Sequence, residues 1–225
     1  MKDLVLRRAL VATARMTSHR GLNRGTSGNV SVRCRGGFLV TPSGFPYDAM
    51  RPQDVVAMTL DGRATGRLAP SSEWPMHAAV YRARPEAGAV VHVHSEAATA
   101  LACLRRDLPA FHYMVAAAGS TSVRCTPYAT FGTEALAAAA VAALEGRRAC
   151  LLGNHGQLAF GATLEKALAL AVEVEGLCAT YLRALSVGEP PLLSDAEMAE
   201  VIAKFATYGV ARPASSARDR RRASR

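Results

Sequence analysis

Two spacings of apolar residues divide this chain into strands and helices. In the first third, short alternating or continuous apolar runs are bounded by Gly, Ser and Pro, which is typical of strands joined by tight turns. These strands are predicted at 30–33, 38–41 and 55–60, and the Asp-Gly pair at 61–62 is typical of a hairpin. Before them, apolar residues at helical spacing predict a helix from 3 to 19.

From residue 71 onward, helical spacing takes over and single strands separate the helices. The predicted helices are 71–84, 97–104, 133–145, 164–185 and 194–205, and the predicted strands are 90–95, 111–114, 123–125, 149–152 and 157–160. No internal repeat and no linker divides the chain. The pattern therefore predicts a single domain of mixed α/β structure.

The composition is that of an ordinary globular protein. The 225 residues are 50% hydrophobic and 20% charged, enough to bury a substantial core in one domain. Five scattered cysteines without a C-x-x-C pair indicate reduced thiols and a cytoplasmic location. The start of the chain does not resemble a signal peptide, and the longest apolar run, 135–144, is far shorter than the about 20 residues of a membrane span. No membrane partner is predicted.

The formal charge of +9 is concentrated at the end of the chain. Residues 211–225 contain six arginines and one acid, a charge of +5, so the rest of the chain carries +4. Such a short Arg, Ser and Ala segment is typical of a solvated, disordered tail. Weak, salt-sensitive binding of polyanions stays open for the tail. Because no aromatic interleaving or nucleic-acid module accompanies it, no specific nucleic-acid partner is predicted.

Histidines carry the densest chemistry of the sequence. His92 and His94 alternate with valines, so both point to one face of a predicted strand. A single histidine there is more often a hydrogen-bonded core residue, but a pair favours a metal site. His155 lies in a glycine-flanked break between two later strands and can complete the set. Three imidazoles are typical of a catalytic zinc site that keeps an open position, and manganese, cobalt or iron also fit.

Three small-residue segments indicate an anion site. They are Gly25–Asn29, Pro42–Gly44 and the serine pair 71–72 at the start of a predicted helix. Exposed backbone N–H groups and hydroxyls of this kind bind phosphate, although each segment alone is also explained as a turn or a helix cap. Glu73 follows the serine pair and can project into the same cleft. His77, one helical turn later, could be a further ligand, but it is interpreted as a residue that packs in the core or behind the ligands.

Taken in order, these segments resemble the class II aldolase/adducin family. The motifs are G-T-S-G-N-V-S-V-R, T-P-S-G-F-P-Y, P-S-S-E-W, V-V-H-V-H, A-F-H-Y-M, C-T-P-Y-A-T-F-G-T and L-L-G-N-H-G. The resemblance extends from the first helix to Tyr208. It implies one α/β domain over residues 1–210, with a central, mostly antiparallel sheet flanked by helices, and it leaves 211–225 as the basic tail.

Residue by residue, the resemblance also implies a site. His92, His94 and His155 would bind one Zn²⁺ per subunit, with Glu73 as a fourth ligand that also acts as the acid/base. Tyr113 from a neighbouring subunit and Tyr208 would act at the aldehyde end, in a homotetramer with intersubunit sites. The residues implied for substrate binding are Gly28, Asn29, Ser43, Gly44, Ser71 and Ser72 at a phosphate, and Phe131 and Phe205 at the aldehyde end. Ser43 stands where threonine is common, and Gln157 where an apolar residue follows the third histidine.

The implied activity is zinc-dependent cleavage of a ketose 1-phosphate to dihydroxyacetone phosphate and a small hydroxyaldehyde. L-Fuculose 1-phosphate, giving L-lactaldehyde, is the first expected substrate, and 5-deoxypentulose 1-phosphates come next. Sugar-acid phosphate decarboxylation and methylthioribulose phosphate dehydration stay open, whereas the pentulose-phosphate epimerases of the family have Asp at the Glu73 position. A non-enzymatic adducin-like scaffold would not need the complete set of metal ligands.

Overall fold

The computed structural model describes residues 3–207. In chain order the helices and strands are α1 (Leu4–His19), β1 (Asn29–Cys34), β2 (Gly37–Val40), β3 (Val56–Met58), β4 (Ala64–Thr65), α2 (Trp74–Ala83), β5 (Ala89–Val93), α3 (Glu96–Cys103), α4 (Glu134–Ala143), β6 (Ala149–Leu152), β7 (Gly156–Gly161), α5 (Leu164–Leu185) and α6 (Asp195–Thr207). Short 3-10 helices lie at Tyr47–Ala49, Pro52–Asp54 and Tyr113–Ala118. Tyr208 and the predicted tail lie outside the described residues.

The seven strands form one sheet in the order β4-β3-β2-β1-β5-β7-β6. Every neighbouring pair in it is antiparallel. This confirms the prediction of an α/β domain with a central antiparallel sheet. The two histidines lie on β5 and directly after it, in the middle of the sheet, where a strand on each side holds the backbone in place.

Helices cover both faces of the sheet, and alternate residues of each strand face opposite layers. On β5, Val91 and Val93 pack into a core with α1, α3 and α5, whereas Val90 packs into a second core with α2 and α4. Because side chains alternate along a strand, His92 lies on the same face as Val90. The predicted metal site therefore faces α2, whose first residues follow the serine pair.

The sequence pattern was wrong in one region and approximate in two others. No strand forms at 111–114; Tyr113–Ala118 is a 3-10 helix, because the Nδ1 atom of His112 accepts the N–H of Met114 and starts a turn. The segment at 123–125 makes only isolated bridges with Leu108 and Leu151. The helix predicted from 71 begins at Trp74, since the preceding residues form a turn in which the Ser71 carbonyl oxygen accepts the Trp74 N–H. In the part of the chain described, no helix has the length and apolar character needed to cross a membrane.

Candidate active site

Four side chains from three separate segments converge on one point. His92 and His94 come from the end of β5, His155 from the turn between β6 and β7, and Glu73 from the residue before α2. One ligand atom of each lies within 4.8 Å of the others. The Nε2 atoms of His92 and His94 are 2.9 Å apart, and the Glu73 carboxylate lies 3.1 Å from His92 Nε2 and 3.5 Å from His155 Nε2. The structure thus brings together the predicted ligand set.

Close backbone packing holds the His155 turn against β5. A Cβ atom added to Gly156 would lie 2.5 Å from the Val93 carbonyl oxygen and 3.1 Å from the His94 ring. Asn154, before the histidine, has a φ of 56°, a left-handed conformation that asparagine tolerates better than most residues. The glycine therefore lets the third imidazole approach the other two.

The hydrogen bonds around the cluster leave its centre lined with acceptors. The Nδ1 atom of His92 lies 2.9 Å from the backbone oxygen of Gln157, so Nδ1 carries a proton, and in the neutral ring Nε2 presents a lone pair. That lone pair faces the other imidazoles and the Glu73 carboxylate. Glu73 Oε1 is buried and has no hydrogen-bond partner among the described residues. A metal cation satisfies these atoms together, and three imidazoles with one carboxylate are a donor set that suits zinc.

The protonation states agree with metal binding. Burial lowers the pKa of His94 to about 3 and that of His155 to about 4, so both rings are neutral at neutral pH. Burial also lowers the pKa of His92, but the Glu73 carboxylate at 3.1 Å outweighs it and raises that pKa, so a metal cation would displace a proton from His92. Burial alone would raise the pKa of Glu73, but His92, His155 and the Asn29 amide outweigh it and hold that pKa well below its ordinary value. The carboxylate is therefore ionised. Neutral imidazoles and ionised carboxylates are the forms that bind metals.

A cavity of about 340 Å³ opens above the cluster. Its wall consists mainly of small polar residues and glycines, with two exposed aromatic rings at one side. The predicted residues that line it are Gly28, Asn29, Ser43, Gly44, Ser71, Ser72, Glu73, Phe131, His94 and His155. His92 is completely buried beneath them. The sequence therefore predicted most of the wall of this cavity.

Two predicted residues lie elsewhere in the single chain. Tyr113 and Phe205 line a separate cavity of about 410 Å³, together with Val201 and Lys204. The Tyr113 side chain is 51% exposed. The contribution of Tyr113 to a neighbouring subunit's site and the place of Phe205 at the aldehyde end stay predictions, and Tyr208 is outside the described residues.

Two residues that the sequence did not single out hold the cavity wall. The hydroxyl of Tyr47 donates to the Gly28 carbonyl oxygen at 2.7 Å, and burial raises the pKa of this phenol to about 12. The Asn23 side-chain oxygen accepts the backbone N–H of His94 at 3.1 Å. A Cβ atom on Gly28 would lie 2.5 Å from the Asn23 amide, which explains the glycine. Neither contact is local in sequence, so the hydrophobic pattern could not predict it.

Comparisons with known proteins agree with this geometry. Residues 8–182 match the family model described as the class II aldolase and adducin N-terminal domain. The "5-methylthioribulose-1-phosphate/5-deoxyribulose-1-phosphate aldolase" of Rhodospirillum rubrum is 50% identical over 92% of this chain and 93% of its own. The "L-fuculose phosphate aldolase" of Escherichia coli K12 is 48% identical over 91% of this chain and 96% of its own.

A solved structure extends the similarity to three dimensions. It is described as "L-fuculose 1-phosphate aldolase", superposes with a TM-score of 0.87 at 41% identity, and the match covers 92% of this chain and 97% of that one. The family model and the relatives cover the elements that carry the four converging side chains. This chain therefore belongs to the class II aldolase and adducin family and is a class II aldolase.

Proposed function

We propose that this protein is a cytoplasmic, zinc-dependent aldolase that cleaves a ketose 1-phosphate to dihydroxyacetone phosphate and a small aldehyde. The observation that carries the proposal is the cluster of Glu73, His92, His94 and His155 at the base of a cavity lined by glycines and hydroxyls. L-Fuculose 1-phosphate, giving L-lactaldehyde, is the first substrate to test.

The four clustered side chains would hold the zinc ion. When bound, zinc supplies a Lewis acid that stabilises the negative charge developing on the substrate oxygens as the carbon–carbon bond breaks. No Schiff-base lysine is needed for this chemistry. In agreement, no lysine is among the residues that line the cavity, and Lys166 and Lys204 are exposed elsewhere on the described chain.

The phosphate would bind at the glycine and hydroxyl side of the cavity. Gly28 and Gly44 have φ values of 75° and 59°, conformations that leave their backbones open to a ligand. The hydroxyl of Ser71 accepts the Glu73 N–H at 3.3 Å, whereas Ser72 is exposed in the cavity. Asn29, Ser43 and these serines would orient the substrate through a group remote from the reacting carbons.

Glu73 would move the proton at C3 of the dihydroxyacetone phosphate portion. It would return this proton after cleavage and remove it in the direction of synthesis. Phe131 would contact the apolar end of the aldehyde. Tyr113 would reach this end from a neighbouring subunit of a homotetramer and donate a proton to the aldehyde oxygen, and Phe205 and Tyr208 would act at the same end.

A second candidate substrate class is the 5-deoxypentulose 1-phosphates, including the methylthio derivative. The Rhodospirillum rubrum relative carries these substrates in its name and is 50% identical. Both classes share the phosphorylated end and end in an apolar group, so the cluster and the phosphate wall serve either. The choice between them depends on the aldehyde end.

Release of dihydroxyacetone phosphate tests the proposal. We expect cleavage of L-fuculose 1-phosphate by the wild type, loss of cleavage after chelation, recovery on adding zinc, and loss in the Glu73→Gln variant. The ratio of kcat/KM for 5-deoxyribulose 1-phosphate and L-fuculose 1-phosphate assigns the substrate. Bound zinc without cleavage of either sugar would contradict the aldolase substrate assignment, and failure to bind any divalent metal would contradict the catalytic site itself.

A further inference from the structure

A continuous line of buried polar side chains runs behind Glu73. From its far end the contacts are Tyr81 hydroxyl to Ser31 Oγ at 2.8 Å, Ser31 Oγ to His77 Nδ1 at 2.6 Å, His77 Nε2 to Asn29 Oδ1 at 2.5 Å, and Asn29 Nδ2 to Glu73 Oε2 at 2.9 Å. We call these five residues the Glu73 relay. None of the reactions considered above assigns a role to its outer members.

The relay follows from regular spacing on two elements. Glu73, His77 and Tyr81 recur every four residues along one face at the start and middle of α2. Asn29 and Ser31 are two residues apart on β1 and therefore share one face of the sheet. The chain of contacts crosses back and forth between that helix face and that strand face.

The relay is closed to solvent. Ser31 and His77 are 0% exposed, Tyr81 is 2% and Asn29 is 3% exposed. A buried polar group without a partner is costly, so each member depends on its neighbours in the line. The far end is fixed as well, since the Arg33 guanidinium lies 4.7 Å from the centre of the Tyr81 ring and donates to the Tyr81 carbonyl oxygen.

The ionised carboxylate sets the direction of every hydrogen bond in the line. Glu73 Oε2 can only accept, so the Asn29 amide nitrogen faces it and the Asn29 oxygen faces His77. His77 must then donate from Nε2, which leaves its Nδ1 as an acceptor. Ser31 donates to that nitrogen and accepts from the Tyr81 hydroxyl. All donors therefore point toward Glu73.

We propose that Tyr81, Ser31 and His77 are positioning residues that act through Asn29 to orient the Glu73 carboxylate. The relay commits Oε2 to the Asn29 amide and leaves Oε1 as the oxygen without a hydrogen bond among the described residues. It also engages both polar atoms of Asn29, so one amide hydrogen and one lone pair of the oxygen are left for a substrate. The catalytic consequence rests on the proposed function, but the orientation can be measured without it.

The first test reads the tautomer of His77 by nitrogen-15 NMR in wild-type protein, with and without chelator. We expect the proton on Nε2 in both samples. The Glu73→Ala substitution removes the carboxylate that sets the orientation of Asn29. The nitrogen resonances of His77 should therefore shift toward the other tautomer or toward a mixture of the two. A proton on Nδ1 in the wild type would overturn the proposal whether or not the protein cleaves any sugar phosphate.

The second test uses kinetics of the zinc-loaded enzyme. His77→Leu should lower kcat about 10- to 100-fold, the usual effect of removing a residue that supports a metal ligand. KM and zinc content should stay near wild type. His77→Gln should recover part of the loss, because its amide can donate to Asn29 and accept from Ser31.

Tyr81→Phe is the milder variant if His77→Leu does not fold, and it should lower kcat in the same direction. Tyr181→Phe is the matched control, because Tyr181 is an equally buried tyrosine on α5 outside the relay. An unchanged kcat in both relay variants, or an equal loss in Tyr181→Phe, would overturn the positioning role.

Discussion

At the scale of single residues, the two neighbouring serines before α2 have different tasks. Ser71 is buried and its hydroxyl accepts the backbone N–H of Glu73, so it shapes the turn that presents the carboxylate. Ser72 is exposed in the cavity. The two hydroxyls therefore lie in different surroundings, one bonded within the turn that precedes α2 and one exposed in the cavity.

Ser72→Ala should weaken substrate binding more than it slows the reaction. One hydrogen bond to a charged phosphate oxygen is lost, so KM should rise about tenfold while kcat changes little. Steady-state kinetics with the ketose 1-phosphate measure both constants. Ser71→Ala is the comparison, and it should lower kcat as well, because the Glu73 turn loses its cap. A Ser72→Ala variant with unchanged KM would place the phosphate elsewhere.

At the scale of elements, α3 begins directly after the strand that carries His92, and its first turn is held by a side chain of another helix. The Glu175 carboxylate, on α5, accepts the backbone N–H groups of Ala97 at 2.8 Å and Ala98 at 2.9 Å. A negative charge at a helix N-terminus is favourable, and these N–H groups have no partner within the helix. This contact fixes the segment that leaves His94.

Glu175→Ala should therefore lower the free energy of unfolding by about 1–2 kcal/mol, the usual cost of losing a helix cap. Urea denaturation followed by circular dichroism measures this change. Glu173→Ala is the matched control, since Glu173 is also half-buried on α5 but lines a different cavity with Glu86 and Lys166. Equal destabilisation by the two substitutions would show that the cap contributes nothing specific.

Elements were predicted from the sequence where local spacing decides them. The alternation around His92 and the helical spacing from 164 to 185 both depend on neighbours in sequence, and both predictions are confirmed. The strand predicted at 111–114 failed because a single side-chain contact, His112 to the Met114 N–H, starts a 3-10 turn. Periodicity carries no information about such a contact.

At the scale of the whole molecule, the predicted metal ligands and the predicted proton donor to the aldehyde lie in different parts of one chain. The ligands of one chain converge on one another, but Tyr113 lies at a different cavity of that chain. If neighbouring subunits complete each other's sites, two variants that are inactive alone can share one working site.

Mixing Glu73→Gln and Tyr113→Phe subunits should therefore restore activity. Random assembly leaves about a quarter of the sites with an intact Glu73 and an intact Tyr113 from its neighbour. Aldol cleavage by co-refolded subunits measures the recovery. Glu73→Gln mixed with His155→Ala is the control and should stay inactive, since both changes affect the cluster of one chain. No recovery in the first mixture would place Tyr113 outside the neighbour's site.

The residue types that form the candidate site were predictable from the sequence, but the residues that hold them in place were not. Histidine spacing and the family motifs point to the cluster, because ligand residues must be of particular types. Tyr47, Asn23 and the outer relay residues are ordinary core residues by type, and only their distances in the folded chain reveal what they hold. The hydrophobic pattern of a single chain does not tell how many chains assemble.

The bond from His92 Nδ1 to the Gln157 backbone oxygen has a consequence for sequence change. The ring is oriented by a main-chain atom, and β5 and β7 keep that atom in register through their pairing at Val93 and Gln157. Any residue at position 157 supplies the same carbonyl group. The orientation of this histidine is thus inherited with the strand pairing and does not depend on which side chain residue 157 carries.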